Sequence, residues 1–307
     1  MAIALAMALI ASACMAAPEG PEPLIGEPDT SFLAAQPVEI AGYEGDAMEP
    51  FLSRDGAILF FNNRNNPGER TDVHWAQREL PDRFVYRGTV EGAALPGVLD
   101  GVPSMSAGGE FVFTSLRGVD DKRTIWRGIF AQGSLTQLGP VEGDVNAVRP
   151  FWVNMDSEIS ADGQTLYTTD SRFDPIRGMI VESNLVIAQR TPTGFERVMD
   201  SAAQLAKINS KKMEYAAALT RDLKTLYFTR VDFEILGQGG EVGFQTLVSR
   251  RASVTQPWGV PRPVASISGY AEAPTLSPDE CSLYFHKRVR DRFAVFRTTR
   301  RDCGGED

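Results

Sequence analysis

One hydrophobic–polar pattern recurs along the chain: a polar turn opened by a hydroxyl residue, an apolar-aromatic run, then an arginine. Its copies begin at Ser53-Arg54-Asp55-Gly56, Ser106-Ala107-Gly108-Gly109, Ser160-Ala161-Asp162-Gly163, Thr220-Arg221-Asp222-Leu223 and Ser277-Pro278-Asp279-Glu280. The hydroxyl residues are separated by 53, 54, 60 and 57 residues, spacing regular enough to mark one repeated unit. Asp-Gly suits a tight hairpin, because glycine accepts positive φ and aspartate bonds its own backbone. An aromatic stands seven residues after each hydroxyl (Phe60, Phe113, Tyr167, Tyr227, Tyr284), each preceded by an aliphatic residue. Such residues pack well on pleated sheet and supply wedges between neighbouring sheets.

A second strand follows each copy, as at Val73–Ala76, Thr124–Trp126, Asn184–Ala188, Gln245–Val248 and Phe293–Phe296. Four copies then continue into a further β-like segment, giving about four short strands per unit, the content of a propeller blade. The fifth copy stops early, and Pro37–Tyr43 ahead of the first copy resembles Pro263–Tyr270 ahead of the fifth. The pattern predicts an all-β fold: a five-bladed β-propeller of four-stranded blades, closed by the N-terminal strand, with six blades as the alternative.

Ser-Pro-Asp-x-x-x-Leu-Tyr-Phe at 277–285 and its four relatives resemble the TolB-type (WD-like) β-propeller repeat of bacterial envelope proteins. The resemblance covers roughly residues 37–300 and implies a fold more than an activity. Copy two lacks the aspartate and copy four the glycine, which leaves their turn types open.

Ahead of the repeats, 1–13 is uniformly apolar or small and reads as a signal peptide. Cys14 after Ala11-Ser12-Ala13 resembles a lipoprotein lipobox, with plain cleavage after Ala13 as the alternative. Residues 14–35, rich in Pro, Gly and Glu, read as a lipoprotein-like tether, and 36–307 as a single propeller domain. If Cys14 carries lipid, Cys281 and Cys303 remain as a pair that an oxidising compartment lets bridge.

The 307 residues, 43% hydrophobic and 23% charged, suffice for a full core. A net charge of -9 repels phosphate backbones and argues against nucleic acid as a partner. The chain has no G-x-S-x-G elbow, no C-x-x-C and no H-x-x-x-H, so the sequence calls for no cofactor and no metal. Its two histidines, His74 and His286, read as packed strand residues.

Carboxylates remain. Glu49, Asp156, Glu158, Glu214 and Glu272 lie in the segments leading into the innermost strands, so a pair could meet at one end of the channel, as glycoside hydrolysis requires. Arg64, Arg117, Arg172, Arg230 and Arg288 end the second strand of each unit on the same face. They form either a ring of donors for an anionic ligand or a repeated Arg–carboxylate fastening. Phe173–Ser183 and Val231–Gly243 are the least repetitive segments there and suit recognition loops.

The expectation is therefore an exported, non-catalytic binding or scaffold propeller. It would be monomeric, membrane-associated through a lipid anchor only, and engaged with an envelope protein or glycan. A carboxylate-dependent glycosidase is the alternative.

Overall fold

The computed structural model describes residues 21–63, 70–147, 149–176, 179–232 and 243–303. Their strands group into four-stranded antiparallel units, as the repeat predicts. The first contains Met48–Leu52, Ile58–Asn62, Val73–Leu80 and Arg83–Thr89, with Glu39–Ala41 added in parallel as a fifth strand. The second contains Asp100–Met105, Glu110–Ser115, Ile125–Ala131 and Ser134–Pro140. The third runs through Trp152–Ile159, Thr165–Asp174, Met179–Thr191 and Gly194–Arg197. A single parallel bridge, Ser183 to Met213, joins it to the fourth, made of Met213–Leu219, Thr225–Val231, Phe244–Arg250 and Arg262–Pro263.

The fifth unit has three strands from the C-terminus, Ala271–Leu276, Ser282–Val289 and Arg292–Thr299. Its fourth is the N-terminal Gln36–Pro37, antiparallel to Phe296 and Arg297. The next residue, Val38, donates its N–H to the Val295 carbonyl at 2.9 Å. The two chain ends thus share one unit, and the N-terminal strand covers the edge of Arg292–Thr299. The arrangement is that of a β-propeller and is consistent with five blades; a sixth unit is lacking among the described residues.

The hairpin turns keep one shape despite their different sequences. The fourth residue of each, Gly56, Gly109, Gly163, Leu223 or Glu280, is left-handed, with φ between 58 and 83. The hydroxyl and the aspartate carry the turn: Ser53 donates to Asp55 at 2.6 Å while accepting the Ile58 N–H. This bond holds the Asp55, Asp162 and Asp279 carboxyls below the usual range. Gly56 has a second reason, since a Cβ there would stand 2.9 Å from Pro278 of the neighbouring turn.

Copy two departs from the pattern. The Ser106 N–H closes on the Glu110 carbonyl, whereas the Ser53 N–H reaches Ile58, one residue further along its hairpin. The turn is tighter by one residue than in the other four copies, and the strand beyond it is out of step. Phe60, Tyr167, Tyr227 and Tyr284 wedge against the following unit. In copy two Val112 takes that position, and Phe113 instead faces the preceding unit.

Residues 21–35 do not form the free tether that their composition suggested. Gly26 and Asp29 donate backbone N–H groups to Pro261 and Pro263, and Leu33 donates to Thr299. Phe32 is buried, edge-on to Tyr227 between the fourth and fifth units. Proline and glycine exclude a helix, but an extended strand still offers N–H and C=O groups to an unpaired edge. Cys14 and the proposed signal peptide lie outside the described residues.

Candidate functional site: carboxylates on the propeller axis

Each innermost strand carries a bulge at one repeated place. Glu49, Val102, Asp156, Ala216 and Ala273 have φ of 49, 53, 48, 51 and 56°. Each stands four residues before its hydroxyl, and the ladder shifts register beside it. Left-handed conformations in non-glycine residues cost on the order of 1–3 kcal/mol and persist only where their surroundings hold them. The bulges line one axial cavity of about 30 Å³, together with Pro50, Pro103 and Pro274.

Of the five carboxylates singled out in the sequence, Glu49, Asp156 and Glu158 line this cavity, and Glu272 comes within 4.8 Å of Glu49. Glu49 stands in the first unit, Asp156 and Glu158 in the third. Glu272, one residue before the fifth bulge, acts electrostatically on both. Burial, with the charges of Glu272 and Asp156 added, pushes the Glu49 carboxyl well above its ordinary range. Asp156 is pushed up to about 7, by burial first and then by Glu272.

Glu272 is held from two sides. Tyr215 donates its hydroxyl to Oε2, and His286 Nε2 stands 3.3 Å from Oε1. His286 Nδ1 accepts the Glu49 backbone N–H at 3.1 Å, so that nitrogen has no proton and Nε2 carries it. A neutral His286 therefore donates to Glu272, linking the fifth unit to the first. Burial, followed by the Glu272 charge, drives the Tyr215 phenol well above its usual range.

Glu158 and Glu214 are each paired with an arginine. Glu158 accepts from Arg54 of the first unit at 2.7 Å and from Ser104 of the second at 2.6 Å. Arg54 also donates to the Met105 and Ile159 carbonyls, strapping three units together at their turn end. Glu214 accepts from Arg230 at 2.6 Å and from Ser210, all buried.

The arginines do not form a convergent ring of donors. Arg117 pairs with buried Asp100 at 2.5 Å and stacks on Trp126, while Arg172 pairs with Glu182 at 3.0 Å. Arg230 adds bonds to the Leu24 and Ile208 carbonyls. Arg288 is exposed and bonds the Arg290 carbonyl. Arg64 lies outside the described residues, as does most of Val231–Gly243. Repeated Arg–carboxylate fastening describes the three paired arginines. Cys281 and Cys303 are joined as a disulfide with Cα atoms 5.7 Å apart.

Sequence reasoning missed Tyr215, His286 and Arg54. A signal for His286 existed, because side chains nine residues after the hydroxyl staple neighbouring bulges. Asn62 accepts from Val102 N–H, and Thr229 accepts from Ala273 N–H, as His286 does from Glu49.

The chain folds as a β-propeller, and solved propellers are similar to it in shape. No protein-family model matches the sequence, nor does any curated protein. The catalytic domain of a GH62 α-L-arabinofuranosidase from Coprinopsis cinerea has a TM-score of 0.55 at 11% identity, covering 90% of this chain and 98% of that one. A family 117 glycoside hydrolase from Zobellia galactanivorans has a TM-score of 0.54 at 11% identity, covering 90% and 93%. TolB from Acinetobacter baumannii has a TM-score of 0.46 at 12% identity over 85% of this chain, which spans about half of TolB (55%). At such identities the likeness concerns the fold alone.

Proposed function

We propose that this chain is a non-catalytic binding propeller of the TolB-like kind, exported to the cell envelope and engaged with a protein or glycan partner. One observation carries the reading: Glu49 and Glu272, the two carboxylates that come closest, are buried rather than arrayed along an open cleft. Both oxygens of Glu272 take hydrogen bonds, and Glu49 is 7% exposed. The cavity beside them is walled by Pro50, Pro103, Pro274, Ala216, Ala217 and Ala273. Glycoside hydrolysis needs two carboxyls flanking a sugar held between them. Export and a lipid anchor at Cys14 complete the proposal, on the apolar segment and small residues that precede that cysteine.

One observation favours the glycosidase reading instead. Ligand atoms of Glu49 and Glu272 approach within 4.8 Å, near the ~5 Å of a retaining pair, and their environments differ. A panel of aryl glycosides, including α-L-arabinofuranosides, separates the two. The binding reading expects no turnover by the wild type. Turnover that Glu49→Gln or Glu272→Gln abolishes establishes the glycosidase and removes the binding reading. Metabolic labelling with an alkynyl fatty acid, with Cys14→Ser as control, tests the anchor.

A further inference from the structure

We propose that the cleft between the third and fourth units, at the turn end of the ring, binds a short zwitterionic peptide of dipeptide size. Arg251 receives its carboxylate and Asp200 its ammonium group. The site stands apart from the axial carboxylates and does not rest on their role.

The cleft holds about 440 Å³, within the range of small-molecule sites. The step from Ser160 to Thr220, 60 residues, is the longest of the repeat, and it carries the short helix Ser201–Gln204. Asp200 and Gln204 of that stretch make one wall of the cleft. Asp162 and Ile187 of the third unit and Leu223 and Arg251 of the fourth make the others.

Arg251 points to an anion. It is 9% exposed, lines the cleft and stacks on Trp258, 4.3 Å from the ring centre. Its Nε donates to the Leu223 carbonyl and its Nη1 to Gln204 Oε1, each at 2.9 Å. Both acceptors are neutral, and no carboxylate among the described residues pairs with it. Arg190 and Arg300 hold the same place in the third and fifth units, each with its backbone N–H on the carbonyl four residues after the hydroxyl. Those two do have carboxylates, Glu110 and Asp302. Arg78 of the first unit bonds carbonyls and the Tyr284 hydroxyl instead, but it is only half-buried. A buried guanidinium without a counter-ion is costly, and an anion entering the cleft relieves it.

Gln204 makes the site zwitterionic. Its side chain is buried, and its Nε2 donates to Asp200 Oδ1 at 3.0 Å while its Oε1 accepts from Arg251. One amide thus holds a cation and a carboxylate apart, with no more than about 8 Å between them. Asp162 adds a second carboxylate at the exposed mouth, where it repels a dianion such as phosphate. An extended dipeptide separates its charged ends by roughly 7 Å, which fits the span. Ile187, Val198, Leu223 and Val254 favour small apolar side chains on it.

The test titrates the full chain calorimetrically with L-alanyl-L-alanine. Saturable binding of one dipeptide per chain is expected. N-acetylating or C-amidating the dipeptide should each weaken binding by about tenfold or more, as loss of one charged contact does. Arg251→Met should abolish binding. Asp200→Asn should bring the dipeptide down to the affinity of its N-acetyl form, whereas a merely structural Asp200 would weaken both forms alike. If Arg251→Met fails to fold, Asp200→Asn, exposed and still able to accept from Gln204, decides alone. Absence of saturable binding at millimolar dipeptide overturns the proposal, as does unchanged affinity in Asp200→Asn. Tighter binding of inorganic phosphate would mean a plain anion site, and tighter binding of the N-acetyl form a site for protein C-termini; either overturns it. None of these results bears on glycoside turnover or fatty-acid labelling, so the two proposals fail separately.

Discussion

His286 in the last unit accepts the backbone N–H of Glu49 in the first at 3.1 Å, across the seam where the ring closes. The same imidazole faces Glu272 at 3.3 Å and is fully buried, so one side chain satisfies groups on both sides of the seam. His286→Ala should cost about 2–4 kcal/mol, because it strands a buried N–H and a carboxylate oxygen together. Urea unfolding followed by tryptophan fluorescence checks this. A loss below 1 kcal/mol would show that the seam is held elsewhere.

The Arg230–Glu214 pair is buried on both sides, with 3% and 0% side-chain exposure. Arg230→Met leaves an unpaired buried carboxylate and should cost about 3–5 kcal/mol. The double variant Arg230→Met, Glu214→Leu should recover most of that loss, since apolar replacements leave no charge behind. A double-mutant cycle in urea measures the coupling.

His74 sets an acid limit. Burial first, and then the Arg70 charge, lower it from 6.5 to about 4, and it stacks on Phe61 while Nδ1 meets the Tyr86 hydroxyl at 2.8 Å. The folded state thus prefers the neutral ring, and the unfolded chain takes the proton first. Its contribution is fully present above pH 6.5 and is lost as pH falls toward 4, by roughly 3 kcal/mol at 1.4 kcal/mol per unit. With only two histidines in the chain, an NMR titration resolves His74 directly. In His74→Phe the stability difference between pH 6.5 and 4 should shrink by that amount.

The Cys281–Cys303 disulfide closes a loop across 22 positions, at the strand that receives the N-terminal segment. Cys303→Ser should lower stability by about 3 kcal/mol through the larger conformational freedom of the unfolded chain. Reducing agent should shift the urea midpoint of the wild type and leave that of the variant unchanged.

Deleting residues 21–43 should abolish the single cooperative transition. It removes the fourth strand of the last unit, the Phe32 plug and the Val38–Val295 bond, and it leaves open edges. Analytical ultracentrifugation should show association. A monomer with wild-type unfolding would mean that the segment is dispensable.

The repeat made the propeller legible because hydroxyl, turn and aromatic are local features whose spacing survives in one dimension. Ring closure was legible for the same reason, since Pro37–Tyr43 carries the pattern that the C-terminus lacks. The one-residue slip in copy two was not, because Phe113 keeps the aromatic spacing while the tighter Ser106 turn moves its facing. Composition likewise misled at 21–35: proline and glycine exclude a helix, yet nothing local shows that an edge waits for the strand.

From its own residues the chain determined strand, turn and number of repeats, because each depends on neighbours within a hairpin. Only the closed ring decided which of five similar carboxylates meet. Glu49 and Glu272 come from units far apart in sequence and approach within 4.8 Å, while Glu158 and Glu214 were claimed by arginines. That choice rests on which side chains reach the axis and how water is excluded there, and both are properties of the assembled blades.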